Sequence, residues 1–97
     1  MNEDLLTLRL AVQNALIGCI TNELRAVYVK ISNKRIYLTM VFDGEISDYW
    51  NETAPEIGTE VISHFSNYCI NENFMRKDYP EKLSFPDFIC LYKRYEQ

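Results

Sequence analysis

Two stretches of the chain repeat apolar residues at the spacing of an α-helix. In the first stretch, apolar side chains recur every three or four positions and others widen the stripe: Leu5, Leu8, Val12, Ala15 and Cys19, with Leu6, Leu10 and Ile17 beside them. In the second stretch, the apolar positions also fall on one helical face: Trp50, Ala54, Ile57, Val61 and Phe65. Pro55 fits a helix without a kink only in the first turn, and Thr53 and Glu56 have capping-box spacing around it. The pattern therefore predicts helices over 3–19 and 54–66, with the wide stripe of the first as a core face.

Four other stretches follow the two-residue period of a β-strand. Residues 24–31 and 35–42 alternate apolar and polar positions on either side of a short polar break, which predicts an antiparallel hairpin. A weaker strand over 70–78 and a last strand over 87–95 follow, separated by a loop that contains two prolines. The predicted order is α-β-β-α-β-β. We expect one domain of 97 residues with an α+β fold, in which two helices pack on one face of a four-stranded, mainly antiparallel sheet.

The charge and hydropathy of the chain argue against nucleic acid and membranes as binding partners. A formal net charge of −4 and an isoelectric point near 4.9 argue against a nucleic-acid-binding protein, because such proteins cluster lysine and arginine. The acidic N-terminus is unlike a signal peptide, and no apolar run approaches the length of a membrane span. The three cysteines are odd in number and far apart, which favours a reducing compartment. We expect a cytoplasmic protein that binds neither nucleic acid nor membrane.

Residues suited to catalysis or metal binding are scarce. His64 is the one histidine, and a nucleophile without an imidazole or equivalent base nearby is not activated. The cysteines lack the short-spaced pairs of a structural zinc site, and the three glycines are isolated rather than gathered in a phosphate-binding loop. We expect no catalytic residue, no metal and no cofactor, so an enzyme is the weakest of the functional interpretations.

Acidic residues are concentrated just after the second predicted strand. Five of them lie within fourteen residues: Asp43, Glu45, Asp48, Glu52 and Glu56. A charge run of this kind often does no more than keep a loop in solvent. The functional interpretation is a negative rim that engages cationic groups on a partner, and we assign that contact to Asp43, Glu45, Asp48 and Glu52.

Tyrosines suggest a second surface. If the apolar positions of the hairpin face the helices, Tyr28 and Tyr37 point to the opposite side of the sheet, and Tyr92 joins them from the last strand. A phenolic hydroxyl requires water or a partner, and tyrosine is enriched among interface hot spots. These three residues form the alternative binding face, which a homodimeric scaffold protein would use to pair with itself. The remaining interpretation is an exposed sheet face without function.

Several short segments, taken in order, resemble a known family. They are residues 24–27 (LRAV), 42–47 (FDGEIS), 59–62 (TEVI) and 78–80 (DYP), with Leu83 shortly after. They resemble small bacterial proteins linked to immunity against contact-dependent growth inhibition toxins, over residues 5–95. The stretch around Pro55 departs from the family pattern, in which acidic and helix-forming residues continue, and no contact residue is carried over.

The resemblance implies an α/β fold and a cytoplasmic inhibitor of a toxin domain, often a nuclease, delivered by a neighbouring cell. The charge agrees with this, because an acidic inhibitor is steered electrostatically toward the basic cleft of a nuclease. We therefore expect an immunity protein that binds and neutralises the C-terminal toxin domain of its cognate partner. A non-enzymatic homodimer remains the alternative.

Overall fold

In the computed structural model, which describes residues 3–96, two helices cover one face of a four-stranded sheet. Their order along the chain confirms the predicted α-β-β-α-β-β arrangement. The elements are α1 (Glu3–Leu16), β1 (Leu24–Ser32), β2 (Arg35–Phe42), α2 (Asp48–Ile62), β3 (Cys69–Arg76) and β4 (Ile89–Lys93).

The sheet is mixed, with the strand order β3-β2-β1-β4. β1 pairs antiparallel with both β2 and β4, whereas β3 runs parallel to β2 at the other edge. The β1–β2 hairpin closes through Asn33 and Lys34, whose φ angles of 51° and 63° suit the turn of a two-residue hairpin. α2 is the crossover connection that the parallel pair β2–β3 requires.

The main core lies between the helices and the sheet. Alternate residues of β1 and β2 meet the inner faces of both helices, and the fully buried members include Leu8, Val12, Val27, Val29, Leu38, Met40, Trp50 and Val61. Trp50 anchors α2, because its Nε1 donates to Thr21 Oγ1 at 2.8 Å and its ring lies 5.2 Å from that of Phe42. Burying each large apolar side chain contributes about 1.5–3 kcal/mol.

A smaller apolar cluster covers the opposite face of the sheet. It joins side chains of the sheet to others from the segment between β3 and β4: Ala26, Tyr28, Val41 and Met75 with Leu83, Phe85 and Phe88. The rings of Tyr28 and Phe85 are 4.6 Å apart. The face that the sequence predicted to be open is therefore partly covered by the 77–88 segment.

α2 begins six residues earlier than predicted. Ser47 is the N-cap, with φ −71° and ψ 163°, and its hydroxyl accepts a hydrogen bond from the backbone N–H of Trp50 at 3.4 Å. Thr53 therefore lies inside the helix and does not cap it, and Pro55 lies in the helix interior. The proline removes the hydrogen bond that the carbonyl of Asn51 would have accepted. Tertiary packing of the buried face of α2 offsets that loss, since packing rather than propensity supplies most helix stability.

Among the other elements, β2 has the predicted bounds, β1 extends one residue further, β3 lies at Cys69–Arg76 rather than 70–78, and the remaining ones are shorter than predicted. α1 ends at Leu16 rather than at residue 19, and Gly18, with φ +80°, turns the chain away. α2 ends at Ile62 rather than at residue 66, and β4 covers only Ile89–Lys93 of the predicted 87–95.

The wide stripe of α1 does not all face the core. Its inner half is buried, but Leu6, Leu10 and Ile17 are each more than half exposed. The prediction of a single wide core face is wrong here, because one sheet and one neighbouring helix cover only one side of α1.

Candidate functional site

Acidic side chains line the solvent side of α2. Because the Ser47 cap starts the helix at Asp48, four carboxylates recur at intervals of four residues and share one side of it: Asp48, Glu52, Glu56 and Glu60. All four are exposed, and the opposite side buries Trp50, Ala54, Ile57 and Val61. We call these four carboxylates the acidic face. Glu45, exposed in the loop before the helix, adds a fifth charge near its N-terminus.

Nothing within the described chain neutralises the acidic face. α2 contains no lysine or arginine, and the ion pairs found among residues 3–96 involve none of its four carboxylates. Like charges four residues apart destabilise a helix by roughly 0.2–0.5 kcal/mol per pair. The helix dipole favours Asp48 in the first turn but disfavours Glu60, which lies in the last turn. The acidic face therefore works against the stability of α2.

A groove between the two helices runs beside the acidic face. It encloses about 200 Å³ and is lined by Ala15, Cys19, Thr53, Glu56, Ile57 and Glu60. Its apolar lining and carboxylate rim match the two parts of a lysine or arginine side chain, an aliphatic stem and a cationic head.

Asp43 belongs to a different structure from the other predicted acidic residues. It is half-buried, and its Oδ2 accepts a hydrogen bond from Arg94 Nη2 at 2.6 Å, while its Oδ1 accepts from the Tyr79 backbone N–H at 3.3 Å. The prediction that Asp43 lies on an exposed rim is wrong, because the C-terminal segment folds back over the end of β2. Glu45, Asp48 and Glu52 are exposed as predicted.

The same segment carries a charged cluster that the sequence analysis did not single out. Arg25 is 2% exposed; it pairs with both carboxylate oxygens of Glu96 and donates from Nη1 to the Lys77 carbonyl at 2.7 Å. Arg94 Nε also donates to Glu96, at 2.9 Å. Hydrogen bonds from Arg25 first, and from Arg94, lower the pKa of Glu96 to about 2. An arginine inside the otherwise apolar start of a strand was the available sequence signal, since buried charges are almost always paired.

The three predicted tyrosines do not form one surface. Tyr28 is buried beneath Phe85, and this burial raises the pKa of its hydroxyl. Tyr37, on the same side, is half-buried with Lys30 Nζ 5.5 Å from its ring. Tyr92 lies on the helix side, because an irregularity in the β1–β4 pairing places it opposite Val27, which faces the helices. The prediction of an exposed tyrosine face is therefore wrong.

The residues considered for other chemistry are dispersed. His64, Cys69 and Cys90 are exposed and Cys19 is half-buried. Within residues 3–96, no group of three or more histidine, cysteine or carboxylate side chains is placed to hold a metal ion. The same part of the chain contains no helix that is both long and apolar enough to cross a bilayer.

Comparison with known proteins identifies the family to which the chain belongs. No curated protein matches the chain significantly. A family model described as MafI2 immunity protein matches residues 6–96, which is nearly the full length and includes α2, the four described strands and all of α1 except its first three residues. The resemblance to immunity proteins, drawn from the order of short motifs, is thereby confirmed. The chain belongs to the MafI2 immunity protein family, which makes a toxin protein its partner.

Proposed function

We propose that this immunity protein neutralises its toxin by binding it through the acidic face of α2. The observation that carries the proposal is the row of four exposed carboxylates without a cation in the helix or an ion pair in the described chain. Such a row destabilises an isolated helix, because the carboxylates repel one another. Cationic side chains of a partner would pair with these carboxylates, so the same row would contribute to binding.

The chemistry that complements this face is cationic. We propose that the toxin is a nuclease, the C-terminal domain of a contact-dependent growth inhibition effector, which the protein meets in the cytoplasm. A nuclease attracts phosphates through a basic cleft, and opposite charge raises association rates up to about 10⁹ M⁻¹s⁻¹ at low salt. The immunity protein itself carries out no reaction in this proposal.

The groove between α1 and α2 supplies the specific anchor. A lysine or arginine of the toxin lays its stem over Ala15 and Ile57, and its cationic head meets Glu56 and Glu60 at the rim. Arginine is enriched among interface hot spots because it combines apolar area with several hydrogen-bond donors. Of the residues assigned from the sequence, Glu45, Asp48 and Glu52 stay in the proposed interface. Asp43 and Tyr28 serve the fold, and Tyr37 and Tyr92 are the alternative contacts.

The test compares two double charge reversals that change the net charge equally. Glu52→Lys with Glu56→Lys alters the acidic face, whereas Glu3→Lys with Glu81→Lys alters exposed carboxylates elsewhere. Each variant is produced together with the candidate toxin, which we take to be the product of the preceding reading frame. We measure survival of the producing cells and the association rate of the purified pair at low and high salt.

We expect the α2 variant to lose protection and to associate at least about tenfold more slowly at low salt, while the control variant protects like the unmodified protein. Equal loss in both variants would mean that only net charge matters. Full protection by the α2 variant would remove the acidic face from the interface, although membership of the immunity family would stand.

A further inference from the structure

The exposed aliphatic side chains of the described chain are gathered in one segment. Leu6, Leu10, Ile17 and Ile20 are 51%, 52%, 76% and 46% exposed. The other large apolar side chains that are exposed among residues 3–96 are tyrosines. Scattered exposed leucines are ordinary on a protein surface, but a continuous group marks an interaction site.

The spacing of these residues is that of a helix-pairing seam. Leu6, Leu10, Gln13 and Ile17 follow one another at steps of four, three and four, which is the alternation of a heptad repeat. We call these four residues the α1 seam; Ile17 is the first residue after the helix, and its backbone N–H still donates to the Asn14 carbonyl at 3.2 Å. The seam lies opposite the side of α1 that packs in the core through Leu8.

An apolar cavity opens at the C-terminal end of the seam. It measures about 360 Å³ and lies between the end of α1 and strand β4, with Gln13, Leu16, Ile17, Ile20, Leu91 and Tyr92 in its wall. The cavity is large enough for an aliphatic side chain of another molecule, and its apolar wall favours such an occupant over a charged one.

We infer that the α1 seam pairs with the α1 seam of a second copy of this chain, in an antiparallel arrangement about a two-fold axis. In this register Leu6 faces Ile17 of the second copy and reaches toward its cavity, while Leu10 faces Gln13 of the second copy. The contact is self-complementary, because the same two pairs recur on the other side of the axis.

Charge decides between a second copy and the toxin as the occupant. Residues 5–22 contain a single charged side chain, Arg9, although the chain as a whole carries fourteen acidic residues and a net charge of −4. Glu3, one heptad before Leu10, is the carboxylate of α1 that lies on the seam side, so a cationic toxin finds one carboxylate here against four on the acidic face. Two copies with the same negative charge meet here without bringing carboxylates together, and the acidic face of α2 stays free for the toxin. The choice between the two occupants rests on the proposed function, which makes the toxin cationic, whereas the self-association itself is measured without the toxin.

The test begins with the oligomeric state of the purified chain, measured by sedimentation velocity from micromolar to sub-millimolar concentration. We expect a concentration-dependent shift from 11.5 kDa to twice that mass. Leu10→Lys with Ile17→Lys places charges in the seam and should keep the chain monomeric, with the melting temperature that the unmodified chain has at concentrations where it too is monomeric, because both side chains are exposed. The matched control is Tyr95→Lys with Asn73→Lys, which changes the net charge equally at exposed positions away from the seam and should still dimerise.

A pair of single variants tests the antiparallel register. Leu6→Lys and Ile17→Glu should each prevent self-association, and a mixture of the two should recover a heterodimer in which the new lysine faces the new glutamate. A monomeric unmodified chain, a dimeric seam variant or a mixture that stays monomeric would overturn the inference. If the unmodified chain is monomeric and the seam variant also fails to protect cells, the seam is occupied by the toxin and the inference is likewise wrong.

Discussion

Arg25 holds Glu96 through two parallel hydrogen bonds, from Nε to Oε2 at 2.7 Å and from Nη2 to Oε1 at 3.0 Å. The pair joins the start of the central strand β1 to the C-terminal segment, 71 residues away in the chain. Arg94 shares the Glu96 carboxylate and also binds Asp43, so this pair organises the end of the sheet that lies near the acidic face.

The first prediction concerns the stability that this pair provides. Glu96→Ala leaves the Arg25 guanidinium buried without its carboxylate, and removing one partner of a buried pair is strongly destabilising. We expect the free energy of unfolding to fall by about 3 kcal/mol, measured by urea denaturation. The control is Glu81→Ala, which removes an exposed ion pair with Lys77 and should change stability by less than about 1 kcal/mol. Equal effects of the two variants would contradict the structural role of Glu96.

The second prediction is a loss of stability in acid. The pKa of Glu96 is lowered from 4.5 to about 2, so the folded state holds this carboxylate ionised at a pH where the unfolded state has taken up a proton. The stabilisation is present above pH 4.5 and is lost as the pH falls toward 2. The variant Glu96→Gln should start less stable at neutral pH and lose less over that window. A residual acid dependence is expected, since the hydrogen bond from Arg76 also lowers the pKa of Asp78.

The third prediction separates the observed helix cap from the one expected from the sequence. Ser47→Ala removes the side-chain acceptor for the Trp50 N–H, which should lower the free energy of unfolding by about 1 kcal/mol. Thr53→Ala lies inside the helix and should change it by less than about 0.5 kcal/mol. Thermal unfolding of the two variants measures the difference, and a larger effect at Thr53 would favour a helix that begins near residue 54.

The fourth prediction sets stability against function in α2. Glu60→Lys removes a repulsion with Glu56, creates a favourable pair with it four residues apart, and places a cation in the last turn. We expect a gain of about 0.5 kcal/mol in stability, together with slower association with the toxin and a weaker dependence of that rate on salt. Calorimetry and stopped-flow mixing measure the two effects. A variant that is less stable than the unmodified protein would show that the acidic face supports the fold.

Local patterns were enough to predict the elements and the concentration of exposed acidic residues at Glu45, Asp48 and Glu52. The spacing of the apolar residues around Trp50 and Ile57 predicts which side of α2 is buried, because the apolar side of an amphipathic helix packs against the core. The predicted helix over 54–66 already contained Glu56 and Glu60, but Asp48 and Glu52 were expected before its start, so the row of four carboxylates on one side was not recognised. The order of six elements likewise follows from the switch between helical and strand periods.

Contacts between distant segments decided the rest. Asp43 meets Arg94 only after the C-terminal segment crosses the end of the sheet, and Tyr28 is covered only because Phe85 folds over it. A local irregularity in pairing turns Tyr92 to the helix side, since strand side chains alternate and a shift of one residue exchanges the two faces. A stripe of apolar residues predicts that a side of a helix is buried. Which part of the stripe is buried depends on the helices and strands that pack against it in the tertiary structure. For that reason the sequence determined the elements and their inner faces, and the tertiary structure decided that Leu6, Leu10 and Ile17 stay exposed.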